Sequence, residues 1–264
     1  MTLDLFFDRL WQQYLAVTPS AQSIHSLLGG GAPIVNDHIA VRSFNFPNSG
    51  VEAFAKHLLA MGYEKGGSYH FAKKHLDAAH YEHSDPTVPK VFISELQVAS
   101  LSPQAQDIVQ RLTGQVSDEL YQRPEVFFSG RPWQLSYSDY QALLAESEYA
   151  AWLAAYGYRA NHFTVSVNQL AGYDSLQAVN QKLIAAGFTL NSVGGEIKGS
   201  PEVLLEQSAT MADQTEVVFS DSKHSIPSCF YEFALRYAKS DGELYSGFVE
   251  ASADKIFSST DNLS

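Results

Sequence analysis

The sequence is poor in cysteine and in positive charge. Cys229 is the single cysteine among 264 residues, which excludes an internal disulfide and suits a reducing compartment. Beside Phe230 and Tyr231 it reads as a small buried apolar residue rather than a nucleophile. Lys and Arg number 17 against 29 Asp and Glu, a formal net charge of −12. That balance argues against nucleic acid or an anionic membrane as the main partner, and an anionic ligand would need a local cation. No apolar run approaches the length that spans a bilayer. The N-terminal segment, with Asp4 and Asp8 inside its apolar run, lacks the basic head and small-residue cleavage site of a leader. A soluble, cytoplasmic protein without a membrane partner is expected.

What is present suffices for a sizeable core, since 45% of the residues are hydrophobic. Leu3, Phe6, Phe7, Leu10, Trp11, Tyr14 and Leu15 fall at helical spacing within a helical region over 3–28. The triplet Gly29-Gly30-Gly31 lacks the Lys-Ser/Thr and the following helix of a phosphate loop. It reads as a connector.

The most informative pattern is a repeat. Asn36-Asp37-His38-Ile39-Ala40-Val41 returns as Ala160-Asn161-His162-Phe163-Thr164-Val165, each time with a histidine near the start of a strand-like run. The first copy reads as a strand near 35–44, a helix over 51–61 ended by Gly62, and strands near 63–72, 77–83 and 89–98. The second reads as a strand near 160–167, a helix over 176–186 ended by Gly187, and strands near 202–209, 215–220 and 228–237. The two histidines and the two glycines recur at nearly the same separation. An α+β fold of paired βαβββ modules is predicted, with added N-terminal and central helices. The expected divisions of this single unit are 1–33 (helical), 34–100 (first module), 101–158 (helical insert, a cover or spacer) and 159–264 (second module with the C-terminal segment). One module alone would leave a sheet face exposed, so the pair should fold together.

Side chains two apart on a strand share a face, so His38, Ala40 and Arg42 point the same way. A potential metal ligand then stands beside a cation whose planar fork suits a carboxylate. Glu232, set among Phe230, Tyr231, Phe233 and Ala234, would be costly if buried without a compensating cation or metal. Two imidazoles and one carboxylate make the facial triad that holds ferrous iron with positions left open, although zinc or manganese could occupy the same ligands. Laying Ser94-Glu95-Leu96 on Tyr231-Glu232-Phe233 makes Glu95 a candidate fourth or outer ligand, with a hydrogen bond or salt bridge on the sheet as the competing role. Gln207 could contact a bound oxo acid or serve packing. His57, His70, His75, His80, His83 and His224 lack a repeated partner, and those from His70 to His83 read as solvated hairpin residues.

Taken together, Asp37-His38-Ile39-Ala40-Val41-Arg42, Asn161-His162, Leu205-Glu206-Gln207-Ser208, Phe230-Tyr231-Glu232-Phe233-Ala234 and the closing run from Gly247 to Phe257 resemble the 2-oxoadipate dioxygenase/decarboxylase (D-2-hydroxyglutarate synthase) family. The resemblance spans nearly the whole chain. It implies the vicinal oxygen chelate architecture, also seen in glyoxalases, and Fe(II) held by His38, His162 and Glu232, with Zn, Mn or Ni as alternative occupants of the site in purified protein. It further implies that Arg42 holds a carboxylate of the 2-oxo acid. The implied reaction consumes dioxygen and converts 2-oxoadipate to 2-hydroxyglutarate and carbon dioxide. Two other readings stay open. A zinc or nickel isomerase or hydrolase would use Glu95 as fourth ligand and Glu232 as base, and a non-catalytic module would only bind a small molecule. The oligomeric state is not legible.

Overall fold

The computed structural model describes residues 1–260. Two N-terminal helices, α1 (Leu3–Leu15) and α2 (Pro19–Gly29), precede the first sheet half. Thr2 caps α1 by accepting the amide hydrogen of Leu5, and Pro19 opens α2, where its missing N–H costs nothing. The first half is β1 (Asn36–Phe44), α3 (Val51–Leu59), β2 (Tyr63–Phe71), β3 (Leu76–His83) and β4 (Lys90–Leu96). Then come α4 (Pro103–Thr113), α5 (Asp118–Tyr121), α6 (Tyr137–Leu144) and α7 (Glu148–Tyr156). The second half is β5 (Ala160–Ser166), α8 (Leu176–Ala185), β6 (Lys198–Ser200), β7 (Leu205–Ala209) and β10 (Phe230–Arg236). The hairpin β8 (Gln214–Val218) and β9 (Lys223–Pro227) lies between β7 and β10, and α9 (Glu250–Ile256) follows.

Eight strands form one sheet in the order β2-β3-β4-β1-β5-β10-β7-β6. Its halves mirror one another in connectivity. β1 runs parallel to β4 as β5 runs parallel to β10, and the antiparallel β1–β5 pair joins them. The paired βαβββ reading is therefore correct, but one strand was misassigned. The segment near 215–220 belongs to the β8–β9 hairpin, which forms a separate two-stranded sheet. Its place in the module is taken by β6, three residues reading Lys-Gly-Ser. A strand so short carries no alternation to detect, whereas β8 alternates yet pairs only locally.

The central strands are buried along their length. One face is apolar: Phe163 and Tyr231 meet Trp11 and Tyr14 of α1, with Trp11 and Tyr14 each 5.0 Å from Phe163, centroid to centroid. The opposite face carries His38, Arg42, Thr164, Gln207 and Glu232, all buried. Segments from the insert and the C-terminal region cover this polar face. Helix α7 packs on β1, where the Tyr149 hydroxyl accepts the Ser43 amide hydrogen at 3.0 Å. Helix α9 contacts β2, β6 and β7, and so reaches both outer strands of the sheet. Among the described residues no helix is long and apolar enough to cross a membrane.

Candidate metal centre

His38 on β1, His162 on β5 and Glu232 on β10 converge on the covered face. Each offers one ligand atom, and these atoms lie within 4.8 Å of one another. His162 Nε2 is 3.1 Å from Glu232 Oε2, and His38 Nε2 is 3.6 Å from Glu232 Oε1. Adjacent strands bring them together: Ala40 lies opposite His162, and Glu232 lies beside Thr164, which itself faces His38. The three residues are at most 6% exposed.

Both imidazoles are aimed by the residue that precedes them. His38 donates its Nδ1 hydrogen to Asp37 Oδ1 at 2.8 Å, and His162 donates its own to Asn161 Oδ1 at 3.1 Å. Neighbours on a regular strand point to opposite faces, so these contacts require an irregularity. The β1–β5 ladder supplies two. Asn36 and His38 face the consecutive residues Val165 and Thr164, leaving Asp37 as an extra residue. Ala40 and Val41 face His162 and Ala160, leaving Asn161 as another. Each is a one-residue bulge, which turns a side chain toward the site. With Nδ1 protonated, the Nε2 lone pair faces the cavity, the tautomer a metal requires.

Asp37 is held in turn by Arg236, whose Nε and Nη2 donate to its two oxygens at 2.6 and 2.9 Å. Burial alone would raise the Asp37 pKa, but Arg236 and His38 hold it well below the usual carboxylate range. Burial keeps both histidines neutral, His162 more strongly than His38. Glu232 is pushed up to about 8 by burial, against the hydrogen bond that Gln207 Nε2 donates to its Oε1 at 2.6 Å. Its Oε2 finds no hydrogen-bond donor among the described residues. The Thr164 hydroxyl reaches His38 Nε2 at 3.0 Å, but a bare buried carboxylate beside the imidazole lone pairs is still electrostatically unfavourable, and a divalent cation resolves it. The donor set, two nitrogens and one oxygen, fits a transition metal.

Glu95 does not join them. Its Oε2 accepts the amide hydrogen of Val51 at the start of α3, on the other face of β4 from Ser94, which lines the metal-site cavity. The alignment of Glu95 with Glu232 was three residues out of register. Phe92 lies opposite Ala40 as Glu232 lies opposite Thr164. Phe92 therefore occupies the place a fourth ligand would take, and it lines the cavity. The four-ligand isomerase or hydrolase arrangement loses that ligand.

His38, Ala40 and Arg42 do share a face, and all three line the cavity. Arg42 is already engaged: Nη1 donates to both Glu148 oxygens at 3.0 and 3.2 Å, and Nη2 to Thr260 at 2.9 Å. Its guanidinium lies 4.8 Å from the ring centroids of both Tyr149 and Trp152. Only Nε lacks an acceptor among the described residues. Thus α7 backs the site wall by fixing Arg42. His80, expected in solvent, is buried and bonded to Tyr69 and Glu82 at 2.8 and 2.7 Å. It packs on Phe248, whose ring meets His38 edge-on at 4.8 Å. Cys229 is buried and pushed up to about 12 by that burial, which excludes a nucleophilic role.

A family model for 2-oxoadipate dioxygenase/decarboxylase matches residues 14–241. The chain belongs to this family. Within it, the rice 2-oxoadipate dioxygenase/decarboxylase, chloroplastic/amyloplastic, is 36% identical over 94% of this chain and 76% of the relative. The crystal structure of hydroxyglutarate synthase from Oryza sativa in complex with 2-oxoadipate superposes with a TM-score of 0.92 at 34% identity, covering 98% of this chain and 91% of that one. A Shewanella frigidimarina protein, provisionally named a hydrolase, is 55% identical with a TM-score of 0.91, covering 94% and 98%. As a family member the chain is an enzyme.

Asp37, Asn161 and Arg236 escaped the sequence reading as functional residues. The signal available for the first two was the repeated Asx-His dipeptide. Arg236 lies far from Asp37 along the chain and gave none.

Proposed function

We propose that this protein is an Fe(II)-dependent dioxygenase/decarboxylase that converts 2-oxoadipate and dioxygen to 2-hydroxyglutarate and carbon dioxide. The observation that carries the reading is the convergence of His38, His162 and Glu232, with both Nδ1 atoms tied back and the position opposite Ala40 filled by Phe92. Family membership supplies the reaction class. Three protein ligands leave positions free, as activation of dioxygen beside a chelating acid requires. Bound iron would supply the redox chemistry that joins loss of carbon dioxide to hydroxylation of the shortened acid.

The protein's own part is to orient and to exclude water. Phe92, Phe248, Ile256 and Phe257 make the cavity wall predominantly apolar, which protects reactive species from solvent. Asp37 and Asn161 fix the imidazoles, and Gln207 fixes one oxygen of Glu232. Arg42, held by Glu148 and the rings of α7, supplies positive charge in the wall for an anionic substrate. Such positioning counts heavily in the rate of a bound reaction.

The test is anaerobic loading with Fe(II), followed by oxygen uptake with 2-oxoadipate and measurement of carbon dioxide. One carbon dioxide and one 2-hydroxyglutarate per dioxygen are expected. Turnover that persists without dioxygen would instead favour a metal-dependent hydrolase or isomerase. If no 2-oxo acid stimulates uptake by fully metallated protein, the reading is wrong.

A further inference from the structure

The cavity wall contains two buried hydrogen-bond donors without acceptors among the described residues, Arg42 Nε and Asn161 Nδ2. Both residues are 1% exposed. A buried donor left unpaired is unfavourable, so two of them in one cavity wall call for an acceptor that arrives with a ligand.

Their placement follows from the sheet. Asn161 is the extra residue of β5 set against the Ala40–Val41 step of β1, and it lines the same cavity as Arg42, the next residue of β1. The orientation of its amide is also determined. His162 must carry its hydrogen on Nδ1 for Nε2 to serve a metal, so Asn161 turns Oδ1 toward that hydrogen and directs its NH2 group away from it. In the other copy the same position is Asp37, whose two oxygens both accept, one of them also from His38. At this position the copies differ: Asp37 has no donor to offer, and Asn161 has one.

We propose that Asn161 is a specificity-determining residue whose Nδ2, together with Arg42 Nε, receives the carboxylate of the substrate that lies remote from the 2-oxo group. This deepens the dioxygenase reading and rests on it. The residue then has two separable duties, orienting His162 through Oδ1 and selecting a dicarboxylic acid through Nδ2.

Asn161→Asp separates them, because it keeps an acceptor for His162 and replaces the donor with a negative oxygen. Asn161→Ala removes the donor without adding charge. Metal-loaded wild type and both variants would be titrated anaerobically by calorimetry with 2-oxoadipate and with 2-oxohexanoate, which lacks the second carboxylate. Metal content and thermal melting would be recorded alongside. Wild type should prefer the dicarboxylate, and the preference should fall tenfold or more in whichever variant retains metal, in keeping with a hydrogen bond to a charged group. Asn161→Asp should retain metal. A preference within twofold of wild type in the metal-loaded variants overturns the assignment, and so does a wild type with no preference. A metal-loaded wild type that binds neither acid refutes the dioxygenase reading itself.

Discussion

Asp37 accepts the Nδ1 hydrogen of His38 at 2.8 Å although the two are consecutive residues on one strand. Regular pleating would set their side chains on opposite faces. The bulge at Asp37 overrides that, and Arg236 closes the arrangement from the end of β10.

Asp37→Ala should therefore damage both metal binding and stability. Loss of the partner that orients a ligating histidine costs about 10–100-fold in metal affinity. Leaving the buried Arg236 without its anion should destabilise the fold by about 3–5 kcal/mol. Competitive chelator titration and urea unfolding measure the two effects. Asp37→Asn should retain more of the metal affinity than Asp37→Ala, because an amide oxygen still accepts from His38.

Glu232 gives the metal-free protein a definite pH dependence. Its folded pKa, about 8, lies above the ordinary value of 4.5, so the folded protein retains a proton that the unfolded chain releases. Stability of the metal-free form should fall as pH rises from the ordinary carboxylate range to about 8, and then level off. Metal binding must displace that proton, so affinity should climb over the same interval. Calorimetry in two buffers of different ionisation heat at about pH 6 should register proton release, which disappears above about pH 8.

Phe92→Glu places a carboxylate at the position that mirrors Glu232. The variant should hold metal against chelator at least as well as wild type. Its oxygen uptake with 2-oxoadipate should fall by about 100-fold or more, because a catalytic site needs open positions that a fourth protein ligand fills. Uptake within tenfold of wild type in the metal-loaded variant would show that Phe92 does not stand at an open position.

Gln207→Leu should free Oε1 of Glu232, which the Gln207 amide holds at 2.6 Å. The expected result is metal affinity lower by about tenfold, the smaller end of the effect of removing a group that orients a ligand. The folded structure should persist, since leucine has similar volume. Unchanged affinity would mean that packing alone fixes the carboxylate.

Much of the centre was legible because its signals are local. A histidine repeated at the same point of two strand-like runs marked His38 and His162, and the charge of Glu232 among aromatic residues marked the third candidate ligand. The strand period placed Arg42 on the face of His38. What misled was register. Glu95 and Glu232 sit in similar local sequence, yet pairing with β1 puts Phe92, three residues earlier, at the equivalent place. The exposed alternation of β8 likewise imitated a sheet strand that β6 provides with three residues.

The sequence by itself determined the pairing of two half-sheets, though not every strand of the second, and the chemistry of the three candidate ligands with the strands that carry them. Those properties depend on residue type and on a periodicity of two, which a single strand displays unaided. Tertiary structure alone decided that Asp37 and Asn161 orient the imidazoles, that Glu148 and Thr260 occupy the end of Arg42, and that Phe92 closes off the fourth ligand position. Each of these depends on a bulge or a register between strands, set by packing and hydrogen bonds between residues far apart in the chain; the repeated Asx-His dipeptide marks the first pair but not the bulges that turn them toward the imidazoles.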